Sequence, residues 1–532
     1  MSRLLFVIFG MLCCALSTRA MSAAELERGT AIIDPYALRE LDHGRFSLAR
    51  MLVPARSADA PLTDDQLFAL PAMAPVRKVL DEEYASYVAK HKAALPNETI
   101  GAGPAFDFQV FDHPLLYSAD TRFVLAGIVN RMDRTYVSEA NCGEVRLIYR
   151  LTRLTPPPAT SGDEVPSPRL PMTLNVVLKA KADPAADGSG TAVSCAEIAG
   201  RWLATGELSL TGAELAARLT AKDGPLDLIR PENIHRIETN LQIGHVPKSA
   251  AHEFRTDYLM NVFDYDAHSA TFEQATLENQ IDRDRLLADA TLRRDFKDWL
   301  LDPAHFSELD RGTILIPERF LAKGAVAATP VGFSPSDLQP AFGLVAGDAS
   351  AATPAFEERD IVTALQKAAA DGVTLQNIQS VAGFERRLND VSCTGCHQTR
   401  GIGGFHFPGV DWMADKPSND TIVPASPHFF GDQVRRRDIL VALRDGRPAD
   451  FSRGFASRPQ ERGSAELAGT DYLDGWGAHC YSQHANPDEN DKSFRSWTCA
   501  KGLACQVGPA TRMGMCFIPS LRDVKTDSPA RD

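Results

Sequence analysis

The chain has 532 residues, with 56 Lys and Arg against 69 Asp and Glu, a formal net charge of −13. That acidity argues against a nucleic-acid binder, which needs a basic surface to neutralise phosphates. Hydrophobic residues at 44% and charged residues at 23% describe folded globular protein, and after the first twenty residues no apolar run is long enough to span a bilayer, which excludes a polytopic membrane protein.

Residues 1–24 read as a signal peptide. Arg3 supplies the positive start, Leu4–Leu16 the apolar stretch, and Thr18-Arg19-Ala20 or Ser22-Ala23-Ala24 the small residues for cleavage. Export implies a periplasmic or secreted chain with no integral membrane span after cleavage. It removes Cys13 and Cys14 and places the remaining cysteines where disulfides persist. Residues 25–104 read as helical and irregular, with the clearest helix at Asp81–Lys90. Residues 105–350 are β-rich. Phe106–Val110, Phe123–Val129, Val145–Leu151, Met172–Leu178, Ile234–Val246 and Leu259–Asp266 read as strands, dense in Val, Ile, Leu and Phe. Asp282–Leu301 carries a helical apolar stripe, and Ala322–Pro354, rich in Ala, Gly and Pro, reads as a linker. Residues 351–465 turn helical again, at Glu357–Ala370, Phe384–Asp390 and Gln433–Arg444, and residues 466–532 form a cysteine-rich tail. The fold class is α+β, multidomain.

Eight cysteines remain after export: Cys142, Cys195, Cys393, Cys396, Cys480, Cys499, Cys505 and Cys516. Two belong to Cys393-Thr394-Gly395-Cys396-His397, a C-x-x-C-H motif. Two thiols at this spacing can add across the two vinyl groups of one porphyrin, and the adjacent imidazole then meets the iron. The motif resembles the haem attachment site of c-type cytochromes, and the resemblance is confined to the haem segment. It implies a mainly helical haem domain over residues 351–465 with one covalent haem c. Cys393 and Cys396 would carry the thioether bonds and His397 the proximal iron bond. A redox dithiol and half of a zinc site are the competing readings; no second C-x-x-C exists to complete a four-cysteine zinc site.

The distal ligand is open. His428 in Pro427-His428-Phe429-Phe430 ranks first, His406 in Gly404-Phe405-His406-Phe407-Pro408 second, and Met413, 16 residues beyond His397, third. An iron with no protein ligand on that side is the fourth reading. The Pro-Met pair that supplies the distal ligand in small cytochromes of this kind has no counterpart. Arg435-Arg436-Arg437 reads as a solvated helix face, with pairing to haem propionates as the alternative.

Cys142 and Cys195 are expected to pair with each other. Cys480, Cys499, Cys505 and Cys516 are expected to form two disulfides in one of three connectivities, with a zinc site as the alternative. The leading functional reading is an exported monohaem c-type protein that passes single electrons to a redox partner protein. A haem-dependent, peroxidase-like oxidoreductase with an open iron site, and a surface interaction protein that carries a haem, are the rivals. No other catalytic signature stands out.

Overall fold

Five long strands in succession build the centre of the molecule: β3 (Thr121–Arg131), β4 (Glu144–Arg153), β5 (Arg169–Lys179), β6 (Ile234–Pro247) and β7 (Arg255–Asp266). The structure is a computed structural model. It describes residues 29–53, 62–100, 113–155, 169–181, 193–247, 255–328, 344, 354–399, 412–413, 432–453, 479–481, 491, 497–507 and 513–519. All pairings in the sheet are antiparallel, in the order β1-β3-β4-β5-β6-β7-β8, where β1 is Ala31–Ile32 and β8 is Thr271–Ala275. β2 (Glu98–Ile100) adds to the far end of β6, and β9 (Gly324–Ala328) adds to β7. Five of the six expected strands lie within these elements; Phe106–Val110 falls outside the described residues, as does the expected signal segment.

Alternation along each strand sends Leu147, Tyr149, Leu174, Val176, Ile237, Leu241, Leu259 and Phe263 to one face, where all are buried in the largest apolar core. Helices from distant parts of the chain close that face: α1 (Pro35–His43), α4 (Ala74–Ala94), α5 (Cys195–Ala204) and α13 (Gln433–Arg444). Leu38, Leu41, Leu80, Trp202 and Leu440 from these helices pack into the same core. Truncating a fully buried Trp such as Trp202 to Ala would cost about 3–5 kcal/mol, because the surrounding core relaxes only in part.

Two expectations change. The segment Ala322–Pro354 is not all linker, because β9 occupies Gly324–Ala328 and pairs with β7 from Asn261 to Asp257. Its small residues suit close packing: Ala325 and Ala327 are buried with Met260, Val262 and Cys393. The helix expected over Asp282–Leu301 is two helices, α7 (Arg283–Ala288) and α8 (Ala290–Leu300). Extended Asp289 divides them and caps α8 by accepting from Thr291 N at 2.8 Å and Leu292 N at 3.0 Å.

A second apolar cluster joins α7, α8 and α9 (Pro303–Arg311) to α10 (Glu358–Ala370) and α11 (Val381–Val391), through Phe296, Phe306, Phe356, Ile361 and Phe384. The Asp310 carboxylate accepts from the backbone of Gln376, Asn377 and Ile378 at 2.7–3.0 Å and so fixes the approach to α11. In the tail, β10 (His479–Tyr481), β12 (Met513–Phe517) and β11 (Ala504–Val507) form a small antiparallel sheet. Its sulfurs pair as Cys480–Cys505 and Cys499–Cys516. Ser380 donates to Asp491 at 2.5 Å and Arg386 lies 5.0 Å from the Trp497 ring centre, which docks this part of the chain on α11.

Cys142 and Cys195 form the third disulfide, with Cα atoms 5.2 Å apart. Ser194 caps α5 by accepting from Glu197 N at 3.1 Å and so presents Cys195 on the first turn. Cys142 stands in a left-handed turn with Gly143, where a side chain at 143 would come within 2.7 Å of Arg131 O. Three disulfides suit an oxidising compartment, and no described helix is long and apolar enough to cross a membrane. Replacing Cys142 and Cys195 by Ala is expected to lower unfolding stability by about 2–5 kcal/mol in urea titrations, with the native far-ultraviolet dichroism kept.

Candidate functional site

The Cys-x-x-Cys-His segment forms a helix of its own, α12 (Cys393–Thr399), set at a sharp corner after α11. Ser392 makes the corner. Its hydroxyl donates to Asn389 O at 2.9 Å and accepts from Gly395 N at 3.1 Å, while its carbonyl accepts from Cys396 N at 2.9 Å. Gly395 is forced by packing, since a Cβ there would lie 2.1 Å from Asn389 O. Thr394 donates to the Gln280 side chain from its backbone N at 3.0 Å and from its hydroxyl at 3.2 Å, which ties the turn to the segment after β8.

Cys393 and Cys396 stand three apart and therefore share one helix face. Both are buried, and neither is in a disulfide. Cys393 packs against Met260 and Val262 of β7 and Ala325 and Ala327 of β9. Burial pushes its thiol well above the usual range, and the neighbouring Cys396, Glu238 and Glu278 add to this against the opposing pull of Arg146. A thiol held this way is a poor nucleophile.

The sheet face on this side is polar and closed. Asn240 is the register partner of Met260, and Glu238 of Val262. One strand further, Thr173 pairs Asn240 and Asn175 pairs Glu238; beyond them, Arg150 pairs Thr173. Residues directly opposite one another share a face, so this row of polar side chains adjoins the apolar patch that holds Cys393. Arg150, Thr173, Asn175, Glu238 and Asn240 are all buried. Both amide atoms of Asn175 and the Asn240 Oδ1 lack a hydrogen-bond partner.

Charge on this face is balanced by a network that the sequence did not reveal. Glu144 meets Arg146 at 2.9 Å, Arg236 at 2.9 Å and Arg134 at 3.3 Å. Glu238 meets Arg236 at 3.0 Å and Arg146 at 3.1 Å, and Arg134 also clamps Glu278. Burial opposes the charged form of Glu144, but Arg236, Arg134 and Arg146 outweigh it and hold the carboxyl well below its usual range. Burial lowers the Arg146 guanidinium to about 10 despite Glu238 and Glu144. The partners lie far apart in the chain, and no local spacing marks them.

Arg435 and Arg436 are not a solvated face. Arg435 donates to Asp432 at 2.6 Å and to buried Asp133 at 2.9 Å, and Arg436 donates to Asp432 at 2.8 Å. Helix α13 packs over the turn that holds Asp133, so these arginines answer a buried carboxylate rather than water. His397 lies in α12, and only its backbone is described. His406 and His428 lie outside the described residues. Met413 packs against the largest core, where neighbouring Trp412 donates to Leu125 O at 2.9 Å. That core is distinct from the cluster around Cys393. No protein family, curated protein or solved structure matches the chain.

Replacing Glu144 with Gln would leave buried arginines without their shared counter-charge, an expected loss of about 3–5 kcal/mol. The wild-type carboxyl titrates lower when folded than its ordinary value of 4.5. Its stabilisation is therefore complete above that pH and is lost as pH falls toward the folded value. Urea midpoints measured between neutral and acid pH should fall less steeply on the acid side in Glu144→Gln than in wild type.

Proposed function

We propose that this chain is an exported c-type haem protein, carrying one covalent haem and exchanging single electrons with a redox partner protein. The observation that carries the reading is the fate of the cysteines. Among the described residues six pair as disulfides, and the two in the C-x-x-C-H motif stay outside them. They lie on one helix face, buried, at the border between an apolar patch and a buried polar face.

The residues fit the group. Cys393 and Cys396 are spaced for two thioether bonds, and His397 follows directly for the proximal iron bond. Met260, Val262, Ala325 and Ala327 offer apolar surface for a porphyrin. Asn175 and Asn240 carry buried polar atoms without hydrogen-bond partners on the adjoining face, and Arg146 and Arg150 stand on that face to answer propionate charge. His428 and His406 remain the candidates for the distal bond, whereas Met413 packs against the other core. A bound haem supplies one-electron iron chemistry, and the chain sets its potential through burial and hydrogen bonding. The raised thiol of Cys393 speaks against the dithiol reading.

A second reading, a peroxidase-like enzyme, is favoured by one feature: the buried row of Arg150, Thr173, Asn175, Glu238 and Asn240. Convergent polar groups of this kind also suit a small substrate.

The test is the reduced visible spectrum of protein matured in a host that attaches c-type haem, with and without carbon monoxide. The carrier reading predicts a c-type spectrum that carbon monoxide leaves unmoved and that vanishes in Cys393→Ala/Cys396→Ala. A spectrum shifted by carbon monoxide replaces the carrier with the enzyme. No haem bands at all overturns both.

A further inference from the structure

Away from the cysteine pair, the last turn of α4 meets β2 and the ends of β6 and β7, and four ionisable side chains converge there. His91 comes from α4, Glu98 from β2, His245 from β6 and Asp257 from β7. The strand register explains the meeting. Ile100 pairs His245 and Glu98 pairs Pro247, so Glu98 and His245 are diagonal neighbours on one face. Asp257 pairs Ile243 and is the corresponding diagonal neighbour of His245 from the other side.

The contacts have an order. Glu98 Oε2 bonds His245 Nδ1 and lies 3.6 Å from His91 Nε2. The other ring nitrogen of His245, Nε2, stands 3.2 Å from Asp257 Oδ2, and that same oxygen accepts from the Tyr87 hydroxyl at 2.9 Å. The His91 and His245 rings meet edge to face, with centroids 4.8 Å apart. Side-chain exposure is 1% for His91, 7% for Glu98 and 0% for His245 and Asp257.

A polar network joins Tyr87, Asp257, His245 and Glu98, in which His245 Nε2 meets Asp257 as a charge contact outside hydrogen-bond geometry. It does not account for His91, which is sealed from solvent with no hydrogen-bond partner on either ring nitrogen. A buried polar group left this way costs about 1–3 kcal/mol. A ligand bond at Nε2 would remove that cost.

We propose that His91, Glu98 and His245 form a binding site for a divalent transition-metal ion of the zinc class, with Asp257 orienting His245 from behind. One donor atom from each of the three lies within 4.8 Å of the others. Zinc bonds to nitrogen and carboxylate oxygen run about 2.0–2.2 Å, which sets donors about 3.3 Å apart in a tetrahedral shell. His91 would move inward to reach that spacing, while Glu98 and His245, now in direct hydrogen-bond contact, would part to admit the ion. Two imidazoles and a carboxylate suit zinc or iron rather than calcium or magnesium, which take oxygen ligands. The path from ion through His245 to Asp257, and on to the Tyr87 hydroxyl, is the carboxylate–histidine–metal arrangement that fixes a ligand's tautomer and ring orientation. The sealed setting makes the role structural: the ion would staple α4 and β2 to the central strands. It is independent of the haem reading, since alternation along β6 and β7 puts His245 and Asp257 on the sheet face opposite Glu238, Asn240, Met260 and Val262.

The test uses the full chain, purified without reductant, stripped with a chelator and returned to Zn2+. Elemental analysis is expected to find about one zinc per chain, and thermal unfolding is expected to rise with added Zn2+. His91→Ala should lose that equivalent. Asp257→Asn should retain it with about 10–100-fold weaker affinity. Zinc-edge X-ray absorption of the wild-type chain gives a readout that does not depend on any variant folding, and should show nitrogen and oxygen neighbours without sulfur. The proposal is overturned by a chain that takes up no stoichiometric zinc, by uptake unchanged in His91→Ala, or by sulfur in the zinc shell, which would place the ion at a cysteine site instead.

Discussion

Glu144 gathers three arginines on a sheet face that is closed to water, and the rest of the structure is arranged around keeping that charge balanced. An uncompensated charge on such a face would be worth several kcal/mol of destabilisation. The balance is therefore distributed: Glu144 and Glu238 share Arg146 and Arg236, and Glu144 shares Arg134 with Glu278. A neighbouring set repeats the device with Asp133, Arg435 and Asp432. Antiparallel sheets often leave one face to solvent. This sheet covers both, one with an apolar core and the other with paired charge, helices and the cysteine-bearing turn.

The second face explains where the cysteine helix can sit. At the β7 and β9 end the polar row gives way to Met260, Val262, Ala325 and Ala327, and Cys393 rests there. Small side chains on β9 let the helix approach, and Gly395 lets it turn hard against α11. Local chain chemistry, tight packing and buried electrostatics thus meet at one place. The proposed haem chemistry follows from that meeting: apolar surface for a ring, polar atoms nearby for its acids, and two thiols that the disulfides leave alone.

What the sequence disclosed follows the range of the interaction involved. The strands around Val145–Leu151 and Ile234–Val246 were legible because alternation and β-branching are local signals. The C-x-x-C-H motif was legible because five consecutive residues carry it. Pairing of Cys142 with Cys195 followed from the grouping of the remaining cysteines, whereas the tail connectivity needed the fold, since cross-strand neighbours Cys505 and Cys516 bond to other partners. β9 was hidden because an Ala- and Gly-rich strand has the composition of a linker. Arg435 looked solvated because its partner Asp133 sits some three hundred residues earlier. Glu144, Arg236 and the His91–Glu98–His245 group have no spacing that marks them; only the folded sheet brings them together.

The central claim is that Cys393 and Cys396 carry a haem covalently. The most direct measurement is the intact mass of the denatured, disulfide-reduced protein from a host competent in c-type maturation. The account predicts a mass equal to the polypeptide plus one haem that survives acid–acetone extraction, and a fragment spanning Cys393 to His397 that carries all of the added mass. A mass equal to the polypeptide alone, with two alkylatable thiols at Cys393 and Cys396, would contradict it.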